Sequence, residues 1–202
     1  DPFVIHCTNK YERVAAKDLN SALDFFREGN FESAMAAVST ARSLAPGFSE
    51  VDRVTAMVCS ESGDSYSADE AYQQALATNP QSGILLYTYA NFLLRADRYE
   101  EGLITIDKAL MLDPDDVNLL SRRAQLLVRL GRYTEAAPLY EKVLASVPVY
   151  EKWRLVTVKD SSECYRRWSE NYSAQQDYKG AKEKLDRAIF FLETLSVPEM
   201  RT

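Results

Sequence analysis

The chain has 202 residues, a formal net charge of −6 and a sequence pI near 5.0. Hydrophobic residues make up 46% and charged residues 27%, which fits a folded domain and excludes a disordered chain. No run of 18 apolar residues occurs, so no membrane insertion is expected, and the acid excess speaks against a nucleic acid partner, because phosphates are bound by Lys and Arg.

The opening stretch, DPFVIHCTNKYER, has no initiator Met, no basic region and too short an apolar run for a signal peptide. Residues 1–8 read as a linker, and the chain as a piece of something longer. Cys7, Cys59 and Cys164 are odd in number, widely spaced and without a CxxC pair. That pattern predicts free thiols in a reducing compartment, hence a cytoplasmic protein, with no disulfide framework and no zinc site. His6, the single histidine, has no second ligand pair near it in sequence, so neither metal nor cofactor is expected.

A first helix is predicted from about Thr8, capped by Thr8 or Asn9 with Glu12 in its first turn. Its pattern runs through Tyr11, Val14, Ala22, Phe25 and Phe26 and stops at Gly29-Asn30. A second helix follows from Phe31 to about Leu44, before Pro46. Pro46, Pro80, Pro114 and Pro148 then recur at intervals of 34 residues, and such a period is the signature of a repeat array. With each proline at position 32, the repeats are 15–48, 49–82, 83–116 and 117–150. The turn falls at Gly29, Gly63, Asp97 and Gly131. Small residues hold position 8 (Ala22, Ala56, Ala90, Ala124), position 20 (Ala34, Ala68, Gly102, Ala136) and, with one valine, position 27 (Ala41, Ala75, Ala109, Val143). Two antiparallel helices that pack closely need small residues at their crossing. A hairpin of this kind leaves one apolar face bare, so successive hairpins must stack.

These residues resemble the tetratricopeptide repeat (TPR) family: the period, the G/D-x-[YF] turn, the small positions and the proline. The resemblance implies an all-α fold, a right-handed superhelical solenoid of stacked antiparallel helix pairs. Departures exist, since the usual Trp at position 4 is Asp18, Asp52, Leu86 and Leu120, and Ser65 replaces the aromatic of the second turn. After Pro148 the period slips. A divergent fifth repeat is expected over 162–195, with 151–161 an insertion or helix extension, a polar terminal helix from about Tyr178 to Leu195, and a tail over 196–202. The β-branched run Val156, Thr157, Val158 argues against helix in the insertion.

No P-loop, GxGxxG, GxSxG or HExxH motif occurs, so no enzyme activity is expected. Asp113, Asp115 and Asp116 read as inter-repeat turn and cap residues, since they lack the spaced ligands of a calcium loop. What remains is surface. The resemblance implies that the first helix of each repeat lines a concave groove. The first helices over 83–96 and 117–130 carry Arg95, Arg122, Arg123 and Arg129 and no acid. A peptide or protein partner of acidic character is therefore expected in the groove of repeats three to five, bound by Tyr87, Asn91, Arg95, Arg122, Gln125, Arg129, Arg166 and Arg167. The opposing reading pairs these arginines with acids on neighbouring second helices, such as Glu100, Glu101 or Glu135. Leu19, Leu23 and Phe26 form an apolar stripe in the first repeat, either a docking patch or a surface covered by the chain's own flank at Phe3, Val4 and Ile5. The function read from these features is a non-catalytic interaction scaffold. The alternative is the sensor or regulatory arm of a larger multidomain enzyme, such as an ATPase, encoded ahead of residue 1.

Overall fold

Each turn predicted from the period delimits a helix in the computed structural model, which describes residues 5, 7–146 and 152–193. Ten α-helices are present among the described residues: α1 (Lys10–Arg27), α2 (Phe31–Leu44), α3 (Ser49–Ser62), α4 (Ser65–Thr78), α5 (Gly83–Arg95), α6 (Tyr99–Leu112), α7 (Val117–Arg129), α8 (Tyr133–Ser146), α9 (Lys152–Ala174) and α10 (Tyr178–Glu193). They gather into two compact units, residues 1–96 and 97–202.

Local chemistry explains the helix ends. Asn9 caps α1 by accepting from the Glu12 N–H, and Glu12 reaches back to the Asn9 N–H, a capping box. Asn30, Asp64 and Asp116 cap α2, α4 and α7 in the same way through side-chain oxygens. Asp116 thus plays the capping part expected of it, and Asp115 pairs with Lys142 at 2.6 Å. Gly63 adopts φ +90° where α3 gives way to α4, a left-handed conformation with little cost for glycine. The third repeat holds the same conformation with Asp97 at φ +58°, whose carboxylate accepts from the Tyr99 hydroxyl at 2.5 Å.

In the first unit the predicted small positions are the helix crossings. Ala22, Ala34, Ala41, Ala56, Ala68, Ala75 and Ala90 are fully buried. Val38 of α2 packs among Val51, Val54 and Val58 of α3. Tyr72 of α4 packs against Tyr89 and Phe92 of α5, with ring centroids 5.1 and 5.5 Å apart. Leu19 and Leu23 are 0% and 1% exposed in the same core as Val38, so the predicted docking patch does not exist there. Phe26 is half-buried and packs on Phe31, and Ile5 and Cys7 cover part of this cluster. The flank thus contributes, while Phe3 and Val4 lie outside the described residues. Arg53 is 1% exposed, an unusual place for a guanidinium. It bonds Glu50 at 2.5 and 2.7 Å and donates to the Met57 sulfur at 3.3 Å.

In the second unit α7 and α8 form one antiparallel pair and α9 and α10 another. The 152–161 stretch, expected as an insertion or a helix extension, is helical and extends α9 at its N-terminal end, its β-branched run notwithstanding. Thr157 and Val158 are buried there, so packing overrides the weak propensity. Val156 points to solvent. Glu141 of α8 ties the last pair down, accepting from the Tyr165 hydroxyl of α9 and from Arg187 of α10, each at 2.8 Å. The terminal helix departs from the expected polar character: Leu185, Ile189, Phe190 and Leu192 of α10 are 44–50% exposed.

Arg53→Ala is expected to lower stability by about 3–5 kcal/mol, because Glu50 would stay buried without its partner. Urea unfolding measures this, and a loss below about 1 kcal/mol would show the pair to be superficial.

Candidate functional site

The predicted groove residues divide between the two compact units, Tyr87, Asn91 and Arg95 in the first and Arg122, Gln125, Arg129, Arg166 and Arg167 in the second.

In the first unit, Tyr87, Asn91 and Arg95 are spaced four residues apart and form one row along α5. Tyr87 and Asn91 are half-buried, and the Asn91 Oδ1 atom is buried without a hydrogen-bond partner among the described residues. A buried amide oxygen in this condition is an unsatisfied acceptor. Arg95 is not free. It pairs with Glu61 and donates to the Ser60 hydroxyl at 2.8 Å, both in the last turn of α3. Glu61 stands 34 residues before Arg95, at the same repeat position, so the period itself contained this pairing.

In the second unit a polar chain links α7 to α9. The Arg122 guanidinium donates to the Gln125 carbonyl at 2.5 Å, and the Gln125 amide donates to Asp160 at 2.6 Å. Burial pushes the Asp160 carboxyl above its ordinary pKa, against the lowering effects of Gln125 and Arg122. Asp160 escaped the sequence reading because it lies in the stretch taken as an insertion. On α9, Glu163 accepts from both Arg166 and Arg167, at 2.7 and 2.6 Å, and Arg166 also pairs with Glu170. The Arg166 guanidinium first, and Arg167 with it, holds the Glu163 carboxyl down at about 2. The face of α9 is therefore charge-balanced, with its two predicted arginines engaged by acids three and four residues away. Arg123 pairs with Asp107 of α6 at 2.7 Å, the second-helix pairing that the opposing reading anticipated in kind. Two of the acids it named are otherwise engaged, Glu101 by Arg98 and Glu135 by Arg132, each at 2.7 Å. Arg129 is different. It is exposed on α7 and has no hydrogen bond or ion pair among the described residues.

No group of three or more metal-ligating side chains occurs among the described residues. Burial raises the Cys164 thiol to about 12, which leaves it an inert core residue. A surface hollow of about 460 Å³ lies in the first unit between Thr8, Phe48, Asn79 and Ile84. It contains none of the predicted groove residues.

Two tetratricopeptide repeat family models match the chain, over residues 60–126 and 121–156. The chain is a tetratricopeptide repeat protein. The TPR chain is 25% identical over 136 residues to the type IV pilus assembly protein PilF of Pseudomonas aeruginosa, spanning 65% of this chain and 54% of that protein. It is 31% identical over 127 residues to the human protein O-mannosyl-transferase TMTC1, spanning 63% of this chain and 13% of that one. The chain thus spans about half of one relative's length and a small part of the other's. A solved structure of P. aeruginosa PilF superposes with a TM-score of 0.70 at 20% identity, covering 95% of this chain and 87% of that one. YrrB, described as a TPR protein with an unusual peptide-binding site, gives 0.64 at 16% identity, covering 95% and 98%. These structures share the fold, an all-α helical solenoid.

The two displaced carboxyls give opposite pH dependences. Glu163 is depressed when folded, so its contribution is present above the ordinary carboxylate range and is lost as pH falls from about 4 toward its folded value. Asp160 is raised when folded, so stability falls as pH rises through the raised value. Asp160→Asn is therefore expected to raise the melting temperature at pH 7 and to do less at pH 4, while Glu163→Gln lowers it at pH 7 and flattens the acid limb. Melting curves across pH 3–8 check both, and an Asp160→Asn loss at pH 7 would overturn the assignment of burial as the dominant cause.

Proposed function

We propose that this TPR protein is a non-catalytic binding module whose second unit takes an acidic segment of a partner protein on the face of α7. The observation that carries this is Arg129, an exposed guanidinium without an acid of its own among the described residues, on a helix that carries no Asp or Glu. An unengaged arginine offers its planar fork to a carboxylate at little desolvation cost, because no existing pair must break. Gln125 and Arg122, one and two turns earlier, continue the same surface. In the first unit, the half-buried Asn91 between Tyr87 and Arg95, its amide oxygen unsatisfied, supports contact with the backbone of an extended peptide. Arg166 and Arg167 bear less of the reading than expected, because Glu163 and Glu170 neutralise them.

The peptide-binding site named for YrrB supports the same class of function. The free cysteines, two of them buried, support a reducing compartment. A second reading, a repeat arm of a larger enzyme, draws support from the human mannosyl-transferase, in which the matching segment is 13% of the protein.

Affinity capture on immobilised wild type and on Arg129→Glu, read by mass spectrometry at two salt concentrations, tests the binding face. Proteins held by wild type, released by salt and lost in Arg129→Glu are the expected result. Adding Arg122→Glu is expected to deepen the loss with helical content unchanged. An identical captured set from wild type and Arg129→Glu would refute the basic face as the site.

A further inference from the structure

The repeat array carries its own internal control. Position 24 of each repeat, on the second helix, is Val38, Tyr72, Ile106 and Tyr140 in repeats one to four, and each is at most 2% exposed. These side chains lie where the next first helix seats: Val38 among the valines of α3, Tyr72 against Tyr89 and Phe92 of α5. The equivalent residue of the fifth repeat is Leu185, which is 44% exposed. Ile189 and Leu192, one and two turns on, are 45% and 47% exposed. At positions 24 and 28 α10 thus carries apolar residues like those of the second helices of repeats two to four (Leu76, Leu110 and Leu144 at position 28), and Leu192 extends them by a further turn.

A second observation gives the chemistry of what fits. Position 25, beside the buried residue, is Asp107 in repeat three and Glu141 in repeat four. Each accepts from the next first helix, Asp107 from Arg123 at 2.7 Å and Glu141 from the Tyr165 hydroxyl at 2.8 Å. The fifth repeat has Asp186 at this place, exposed and with no hydrogen bond or ion pair among the described residues. Among the described residues, the apolar side chains and the acceptor both recur without the helix they serve elsewhere.

We propose that α10 is a docking site for an amphipathic helix of a separate partner protein, one that presents apolar residues to Leu185, Ile189 and Leu192 and an arginine to Asp186. Charge selects a separate partner over a second copy. α3 seats on α2 with Asp52 paired to Arg42 at position 28. A second copy's α1 would bring Asp18 in that register, against Ile189 at position 28 of the fifth repeat. That would bury a carboxylate without a cation. The site is distinct from the α7 face and stands whether or not that face binds.

The probe is a fluorescein-labelled synthetic peptide of residues 115–131, the α7 sequence, which seats on Ile106 and Asp107 within the fold. Anisotropy is expected to show saturable binding to the protein, weakened about tenfold or more by Ile189→Glu. Arg123→Ala in the peptide is expected to weaken binding several-fold to wild type and not to Asp186→Asn, a coupling that a merely structural effect would not reproduce. Circular dichroism confirms that the variants fold, and Asp186→Asn, an exposed isosteric change, keeps the cycle usable if Ile189→Glu does not. Absence of saturable binding, or binding indifferent to both substitutions, overturns the proposal. So does concentration-dependent self-association abolished by Ile189→Glu, which would assign the face to a second copy.

Discussion

The close approach of paired helices at alanine is the constraint on which the rest depends. Ala22 and Ala34, Ala56 and Ala68, and Ala124 and Ala136 are all fully buried, two to a hairpin. A larger side chain at any of them would push the helices apart and move every side chain on the outer faces. The alanines therefore do more than fill space. They fix the rotation of each helix, and the rotation decides which residues point outward. Once Ala124 faces inward, Arg129, about 140° round the helix, is left to face solvent.

The same rotation governs which charges remain available. An arginine every few turns along a lining helix would give a strongly positive surface if nothing answered it. The structure answers most of them locally. Glu163 engages two arginines on its own helix, Glu61 engages Arg95 from one repeat away, and Asp107 engages Arg123. Exposed pairs of this sort contribute little to stability. They do remove cations from the pool that a partner can use, since a new carboxylate must compete with the resident one. Counting charges along a sequence overstates a basic face; subtracting those with an acid at i±3, i±4 or one repeat away comes closer to what is on offer.

That arithmetic marks the limit of what the sequence disclosed. The period placed the turns of the first four repeats and the buried small positions, and local sequence placed the cap of α1 at Thr8 or Asn9, because each follows from local sterics and hydrogen bonding. The stripe at Leu19 and Leu23 was ambiguous, because an i, i+4 apolar pair looks the same whether a core or solvent lies over it. Burial alone separates the two, and it put both leucines in the core. Asp160 was invisible for a different reason. It lies outside the repeat register, and only the continuation of α9 back to Lys152 brings it under Gln125. Arg53 was legible as a residue and not as a structure, because a fully buried guanidinium depends on Glu50 and Met57 closing around it.

Repetition also explains why the terminal helix is informative. In a stacked array each second helix has two obligations, to its own partner and to the next hairpin. α10 meets the first in full: Ala181, Ala188 and Phe191 are buried, Phe191 stacks on Tyr165 at 5.7 Å, and Lys184 lies 4.3 Å from the Trp168 ring. The second obligation is written into Leu185, Ile189 and Leu192 and goes unmet within the described residues. Exposed leucines scattered singly on a surface need no explanation. Here they recur at positions whose four counterparts are, in the case of Leu185, all buried, and they sit beside an acid whose two nearest counterparts both accept a bond from the following helix. Chance would have to reproduce the spacing, the apolar identity and the acceptor together. A face that retains all three is shaped for a helix, and the cation that such a helix must carry follows from Asp186.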